Sequence, residues 1–202
     1  MGRARMFEEE DLLERATDLF WSRGFEATSV ADISQASGVA NGSLYAAYGS
    51  KLNLFLIVFE RYCRARVALV ESTMAASTDS IEQAVRAFFA VIIADCASHQ
   101  PSWGCLMLNS VAEIGARHPD VLSISSRAVS DMETAIERRL EQAADAGEAP
   151  SASTDRAVLA AQIVLISQGL IQLSRMNDSP ERLEEIAAAS TRMLPLGRGT
   201  QA

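Results

Sequence analysis

The chain has 202 residues, 49% of them apolar and 22% charged, which excludes a wholly disordered polymer or a collagen-like fibre and suffices for a core without disulfide support. A formal net charge of -8 excludes a uniformly basic nucleic-acid coat or a polybasic membrane binder, and leaves room for a local basic face. Aromatics are only 6%, and alanine, the strongest helix former, fills much of the apolar count, so the predicted fold class is all-α.

The N-terminus Met1-Gly2-Arg3-Ala4-Arg5 runs into Phe7-Glu8-Glu9-Glu10-Asp11 rather than an apolar signal core, and Cys63, Cys96 and Cys105 show no C-x-x-C spacing. Both features point to the cytoplasm. Ala157 to Leu173 is the longest apolar stretch, but Gln162, Ser167, Gln168 and Gln172 interrupt it, so no membrane partner is expected.

Leu12, Leu13, Ala16, Leu19 and Phe20 recur at helical spacing between acidic residues and predict a helix from Phe7 to Arg23 that Gly24 ends. Ser29-Val30-Ala31-Asp32 has the form of a capping box and opens a short helix to Ser37. Gly38 supplies a tight turn, and Val39 to Tyr48 reads as a third helix before Gly49. Longer helices follow over Lys51–Met74, Ile81–Ser98, Cys105–Arg117, Val121–Ala146, Asp155–Met176 and Glu181–Met193, separated by Pro101, His118-Pro119, Gly147 to Thr154 and Asn177 to Pro180. This change of rhythm divides the chain into a small head, 1–50, and a body, 51–202.

Within the head, Val30, Ile33, Val39 and Leu44 are apolar anchors around the small Ser34 and the turn residue Gly38, the spacing of a helix-turn-helix. The second helix of such a motif enters the major groove with its N-terminal residues nearest the bases. Asn41, Gly42, Ser43 and Ala46 or Ala47 then face DNA, with close backbone approach at Gly42 and phenol hydroxyls on Tyr45 and Tyr48. Lys51, the only lysine in the chain, suits a phosphate, since a cation in a first helical turn opposes the helix dipole. Between Ile33 and Arg66, Lys51, Arg61, Arg64 and Arg66 oppose Glu60 alone, a local balance of +3 in a protein of net -8. Arg3 and Arg5 are candidates for further phosphate or minor-groove contacts.

The ordered run Leu19-Phe20-Trp21-Ser22-Arg23-Gly24-Phe25, Thr28-Ser29-Val30-Ala31-Asp32-Ile33, Ser37-Gly38-Val39, Gly42-Ser43-Leu44-Tyr45 and Tyr48-Gly49-Ser50-Lys51 resembles the N-terminal signature of TetR-type transcriptional regulators. The resemblance covers about a quarter of the chain. It implies phosphate contacts from Thr28, Tyr45, Tyr48 and Lys51 and a groove position for Asn41, Gly42 and Ser43; Ser29 and Ala47 complete the expected DNA face. Asn41, Ala47 and Tyr48 depart from the family's commoner residues, so no operator sequence transfers.

The resemblance further implies a helical body that binds a small ligand and forms a homodimer through its last two long helices. Val158, Leu159, Gln162, Ile166, Leu170, Leu173, Ile186 and Met193 are the expected interface, because the first of those helices is apolar over more than one side. Phe88, Phe89, Ile92, Cys96, Trp103, Met107, Asn109, Glu113 and Met132 are candidates for a ligand pocket and equally for plain core. No cofactor or metal is expected, since Cys96, His99, Cys105 and His118 fit no ligand spacing. Without a phosphate loop, a G-x-S-x-G elbow or an H-E-x-x-H pair, catalysis is not expected either. The reading is a sequence-specific regulator, a repressor released from a pseudo-palindromic operator by a small-molecule effector. Its alternative is a helical scaffold or small-molecule binder without DNA recognition.

Overall fold

The computed structural model describes residues 2–76, 80–98, 103–148, 155–176 and 179–196, with side chains from Glu9 onward. Among them run nine helices and no strand: α1 (Gly2–Arg23), α2 (Val30–Ser37), α3 (Asn41–Tyr48), α4 (Lys51–Ala76), α5 (Ile81–Ser98), α6 (Leu106–Ile114), α7 (Pro119–Asp145), α8 (Arg156–Ser174) and α9 (Pro180–Met193). The all-α expectation holds, with shifts at the ends. Helix α3 begins at Asn41 because Val39 and Ala40 belong to the turn, where the Val39 carbonyl accepts the Ser34 hydroxyl at 2.7 Å. Helix α6 stops at Ile114, whose carbonyl takes the amides of both Arg117 and His118 at 3.0 Å before Pro119 opens α7.

Two compact units divide the fold: Met1–Ala65 with Cys105–Ser126, and Arg66–Gly104 with Arg127–Ala202. They do not follow the cut at residue 50 expected from the sequence. Helix α6 and the start of α7 belong to the head unit, where Leu106, Met107, Ile114 and Val121 are buried. Their burial against a unit that is distant in sequence has no local signature, so helical periodicity alone could not assign it.

In the first unit, α1 packs on α2 and α6, and α2 on α3. The core is aromatic: Phe55 meets Phe25 at 5.0 Å, Phe20 at 5.1 Å and Phe59 at 5.3 Å between ring centroids. Each such ring, fully buried, contributes about 1.5–3 kcal/mol from burial, and edge-on pairs add about 0.5–1.5 kcal/mol. Tyr62 links α4 to α6, accepting the Leu106 amide at 3.3 Å and donating to the Cys105 sulfur at 3.5 Å; it caps a helix whose N-cap residue offers no side-chain bond.

In the second unit, α5, α8 and α9 pack against one another through Phe88, Phe89 and Ile92 of α5, Leu159, Ile163 and Leu170 of α8, and Leu183 and Ala187 of α9. Arg66 and Asp95 form a 2.8 Å ion pair between α4 and α5. Among the described residues α8 is the one helix long and apolar enough to cross a membrane by length and composition. Its polar positions Ser167 and Ser174 are buried and bonded to carbonyls of its own turn, as in a core helix.

Candidate nucleic-acid interface

The helix-turn-helix is built by short-range chemistry. At the start of α2, Ser29 Oγ accepts the Asp32 amide at 3.1 Å while the Asp32 carboxylate accepts the Ser29 amide at 2.8 Å, the reciprocal box expected from the sequence. The Ser29 hydroxyl also donates to the Asp32 carboxylate, and this bond first, with that from the Ser29 amide second, holds the carboxyl below the usual range. Gly38 ends α2 with φ +73, a left-handed geometry costly to any residue with a Cβ. Leu44 alone of α3 is buried, and it anchors the helix to the core.

The rest of α3 faces outward. Asn41, Gly42, Ser43, Ala46 and Ala47 are exposed and Tyr45 is 51% exposed. A Cβ on Gly42 would meet nothing within 4 Å, so glycine here leaves space for a partner rather than for the protein itself. Tyr48 is half-buried, and its hydroxyl lies 3.5 Å from Glu9 Oε1 as donor. Burial first and the Glu9 carboxylate second push its phenol up, which keeps it a protonated donor.

Three other residues of the expected DNA face make contacts within the head itself. Thr28 is fully buried, its hydroxyl directed at the carbonyls of Gly24 (2.8 Å) and Leu19 (3.2 Å), so its side chain closes the α1–α2 turn and is not offered to a phosphate. Ser29 is exposed, but its hydroxyl serves the cap. Lys51 is half-buried; its ammonium donates to the Phe25 carbonyl at 2.9 Å and sits 4.2 Å from the centre of the Phe25 ring. An ammonium has three donors, so two remain. The side chains of Arg3 and Arg5 lie outside the described residues, as does His99.

Glu113 is corrected most clearly. Expected in a ligand pocket, it belongs to the head unit, where its carboxylate accepts the amides of Phe25 at 3.0 Å and Glu26 at 2.9 Å. Arg117 pairs with Glu26 at 2.6 Å, and the His118 ring lies 5.8 Å from that of Phe25. Residues 88 positions apart make this contact, which no local signal in the sequence announces.

Residues 12–58 match the family of bacterial regulatory proteins of tetR type, and residues 82–190 match the tetracyclin repressor-like C-terminal domain. The chain belongs to the TetR family. It is a DNA-binding transcriptional regulator, from a family of regulators rather than enzymes. It is similar to the HTH-type transcriptional repressor ComR of Escherichia coli, 31% identical over 96% of this chain and 92% of that protein. Over 39% of this chain it is also similar to the transcriptional activator FasR of Mycolicibacterium smegmatis, 35% identical across 37% of that protein. Among solved structures it resembles a cysteine mutant of the TetR family regulator CifR complexed with 26-base-pair operator DNA, at 26% identity and TM-score 0.76, covering 90% of this chain and 94% of that one.

Of the other residues expected in the effector pocket of this TetR-family chain, Phe88, Phe89, Ile92, Cys96 and Met132 are buried in the second unit and Trp103 is half-buried there, while Met107 and the half-buried Asn109 belong to the first. Open concavities occur among the described residues of the second unit. One lies between α5 and α9 with Phe89, Ile93, Glu184 and Thr191 in its wall; another, between α4 and α7, has Met74, Arg138 and Arg139. Only Phe89 among the expected residues lines either. Burial pushes the Cys63 thiol up to about 12, helped by the Cys105 thiol, so Cys63 is an inert core group. Among the described residues no three His, Cys, Asp or Glu side chains converge as metal ligands would.

The expected dimer residues divide. Leu159 and Leu170 are 0% and 1% exposed and serve the core of their own unit, a correction that helical geometry explains: they lie more than a quarter of a turn round α8 from its outer side. That outer side carries Val158 (54% exposed), Gln162 and Leu165 (68%), at spacings of four and three, and Met176 (74%) is exposed in the turn just beyond the helix. Leu165 escaped the sequence reading because its neighbours in α8 are equally apolar. Ile166, Leu173 and Ile186 are half-buried and Met193 is 85% exposed.

Proposed function

We propose that the protein is a cytoplasmic homodimeric repressor that reads a pseudo-palindromic operator with two copies of α3 and is released by a small-molecule effector. The observation that carries the reading is α3 itself, anchored by one buried leucine while every polar and small side chain from Asn41 to Ala47 faces solvent. Asn41 and Ser43 supply base-edge or phosphate hydrogen bonds, Gly42 allows close approach, and Tyr45, Tyr48 and Lys51 donate to phosphates. The repressor sign is supported by similarity to the repressor ComR along 96% of the chain, against an activator relative that matches 39%.

The apolar outer stripe of α8, continued by Met193 of α9, supports a two-fold interface, since water contact with Leu165, Met176 and Met193 has no other evident use. An effector that favours a head separation unsuited to the operator weakens DNA binding, and DNA weakens effector binding by the same factor. Selection of randomised duplex DNA by the purified protein tests the reading at fixed salt. An enriched palindrome that Tyr45→Ala, Lys51→Ala protein fails to retain supports it; a folded dimer that enriches nothing after refolding free of small molecules defeats it.

A further inference from the structure

The turn that joins α1 to α2 is held by charges from outside it. One peptide group, between Phe25 and Glu26, has its carbonyl on the Lys51 ammonium at 2.9 Å and its N–H on Glu113 Oε1 at 2.9 Å. The preceding N–H, that of Phe25, donates to Glu113 Oε2 at 3.0 Å. A Cβ on Gly24 would fall 2.8 and 2.9 Å from those two carboxylate oxygens, so the absent side chain is what admits the carboxylate. Arg117, one turn beyond Glu113, reinforces the contact by pairing with Glu26 at 2.6 Å.

We propose that Glu113 is a positioning residue for DNA reading: by fixing the Phe25–Glu26 peptide it fixes the carbonyl that orients Lys51, and so aims the two remaining donors of the ammonium. The inference rests on the assignment of Lys51 to a DNA phosphate and deepens it. A free lysine spreads its donors over many rotamers, whereas one anchored by a carbonyl and a ring face has given up that freedom before DNA arrives. Because the carboxylate stands on α6, a shift of that helix by about 1 Å stretches both bonds beyond hydrogen-bond length and frees the lysine.

The sign of the effect separates positioning from plain electrostatics. Neutralising a carboxylate in a unit that binds a polyanion removes repulsion, and on the field alone tightens binding. Positioning requires the opposite.

The test uses the duplex selected by the wild-type protein, with affinities of the full-length wild type, Glu113→Gln, Lys51→Met and the double variant measured across salt concentrations. Glu113→Gln is expected to weaken operator binding about tenfold. It is also expected to flatten the salt dependence as Lys51→Met does, by a slope of about 0.9 for each phosphate no longer neutralised. The double variant then binds no worse than Lys51→Met alone. Faster amide exchange of Phe25 and Glu26 in the folded variant marks the released turn. Equal or tighter binding by Glu113→Gln, an unchanged slope, or additive losses each overturn the proposal. If Glu113→Gln melts too low to assay, Glu113→Asp, which keeps the charge but shortens the reach, is expected to show the same weakening and slope, and wild-type behaviour in it counts against positioning. Wild-type protein that selects a duplex while Lys51→Met binds normally removes the Lys51 assignment itself, and is told apart by that single variant.

Discussion

The ammonium of Lys51 and the carboxylate of Glu113 grip opposite ends of the same peptide group, that between Phe25 and Glu26, each at 2.9 Å. Lys51 begins α4 directly after α3, and Glu113 stands in the last turn of α6. The start of α4 is therefore tied to α6 through two charge-assisted bonds and one rigid amide. Hydrogen bonds to charged groups are worth about 1.5–3 kcal/mol when shielded and less at an exposed residue such as Glu113.

Gly24→Ala tests how far this clamp depends on backbone shape. With φ +88, alanine there costs about 1–2 kcal/mol, and its Cβ also displaces the Glu113 carboxylate from 2.8 Å. A lowered urea midpoint with unchanged slope, together with weaker operator binding, is expected. A midpoint equal to that of wild type removes the requirement for glycine.

Tyr45→Ala separates DNA binding from folding. Tyr45 is 51% exposed, so its removal is expected to leave the melting temperature within about 2 °C. Without its hydroxyl on a phosphate, binding weakens similarly for every duplex, and because the phenol is uncharged the salt slope stays that of the wild type. Asn41→Ala, if Asn41 reads a base edge, instead relaxes preference at one operator position, at a cost of about 1–3 kcal/mol. Titrations against the selected duplex and its single-position variants distinguish the two patterns.

The head was legible in the sequence because its devices are local. The Ser29–Asp32 box joins residues three apart, Gly38 follows α2 directly, and Leu44, one of the expected apolar anchors, is the buried residue of α3. What remained hidden was long-range. Glu113 looked like a polar group among helices that line a cavity, and only the fold brings it to a turn 87 and 88 residues away. Lys51 was visible as a cation in a DNA-binding signature, but the Phe25 carbonyl that engages it, 26 positions away, becomes its neighbour only when α4 meets the α1–α2 turn. On α8 the obstacle was composition: with Leu159 and Leu165 both leucine, periodicity does not say which one faces its own core.

Thr28→Val distinguishes a buried structural hydroxyl from a phosphate donor. The substitution keeps volume and leaves the Gly24 carbonyl without its 2.8 Å donor, at a cost of about 1–3 kcal/mol. Reduced stability with operator affinity close to wild type, measured well below the melting temperature, is the expected pair of results. Weakened operator binding at unchanged stability returns Thr28 to the phosphate contacts.

The capping box predicts an acid limit for α2. The Asp32 carboxyl titrates below its unfolded value because the folded state donates the Ser29 hydroxyl and amide to it. The folded form therefore binds its proton less readily than the unfolded chain, so this contribution is present above the ordinary carboxyl range near pH 4 and is lost as pH falls through the lower folded value. Amide exchange within α2 is expected to accelerate over that interval, and Asp32→Asn protein should lack the step. An α2 whose protection ignores pH below about 4 contradicts the role.

The two faces of α8 give the sharpest contrast between interface and core. Leu165 is 68% exposed and Leu159 is 0% exposed, although six residues apart on one helix. Leu165→Glu places a charge where a two-fold partner is proposed to pack, doubling it across the axis, and is expected to yield a folded monomer with native helix content and much weaker operator binding. Binding falls because a single head retains only one half-site and its few phosphate contacts. Leu159→Ala opens a cavity beneath α8 instead, with a cost of about 2–5 kcal/mol, and should lower the melting temperature. Sedimentation at several protein concentrations, run beside thermal melts, reads both variants. A dimer that survives Leu165→Glu places the partner surface elsewhere, and a Leu159→Ala protein as stable as wild type removes that leucine from the core.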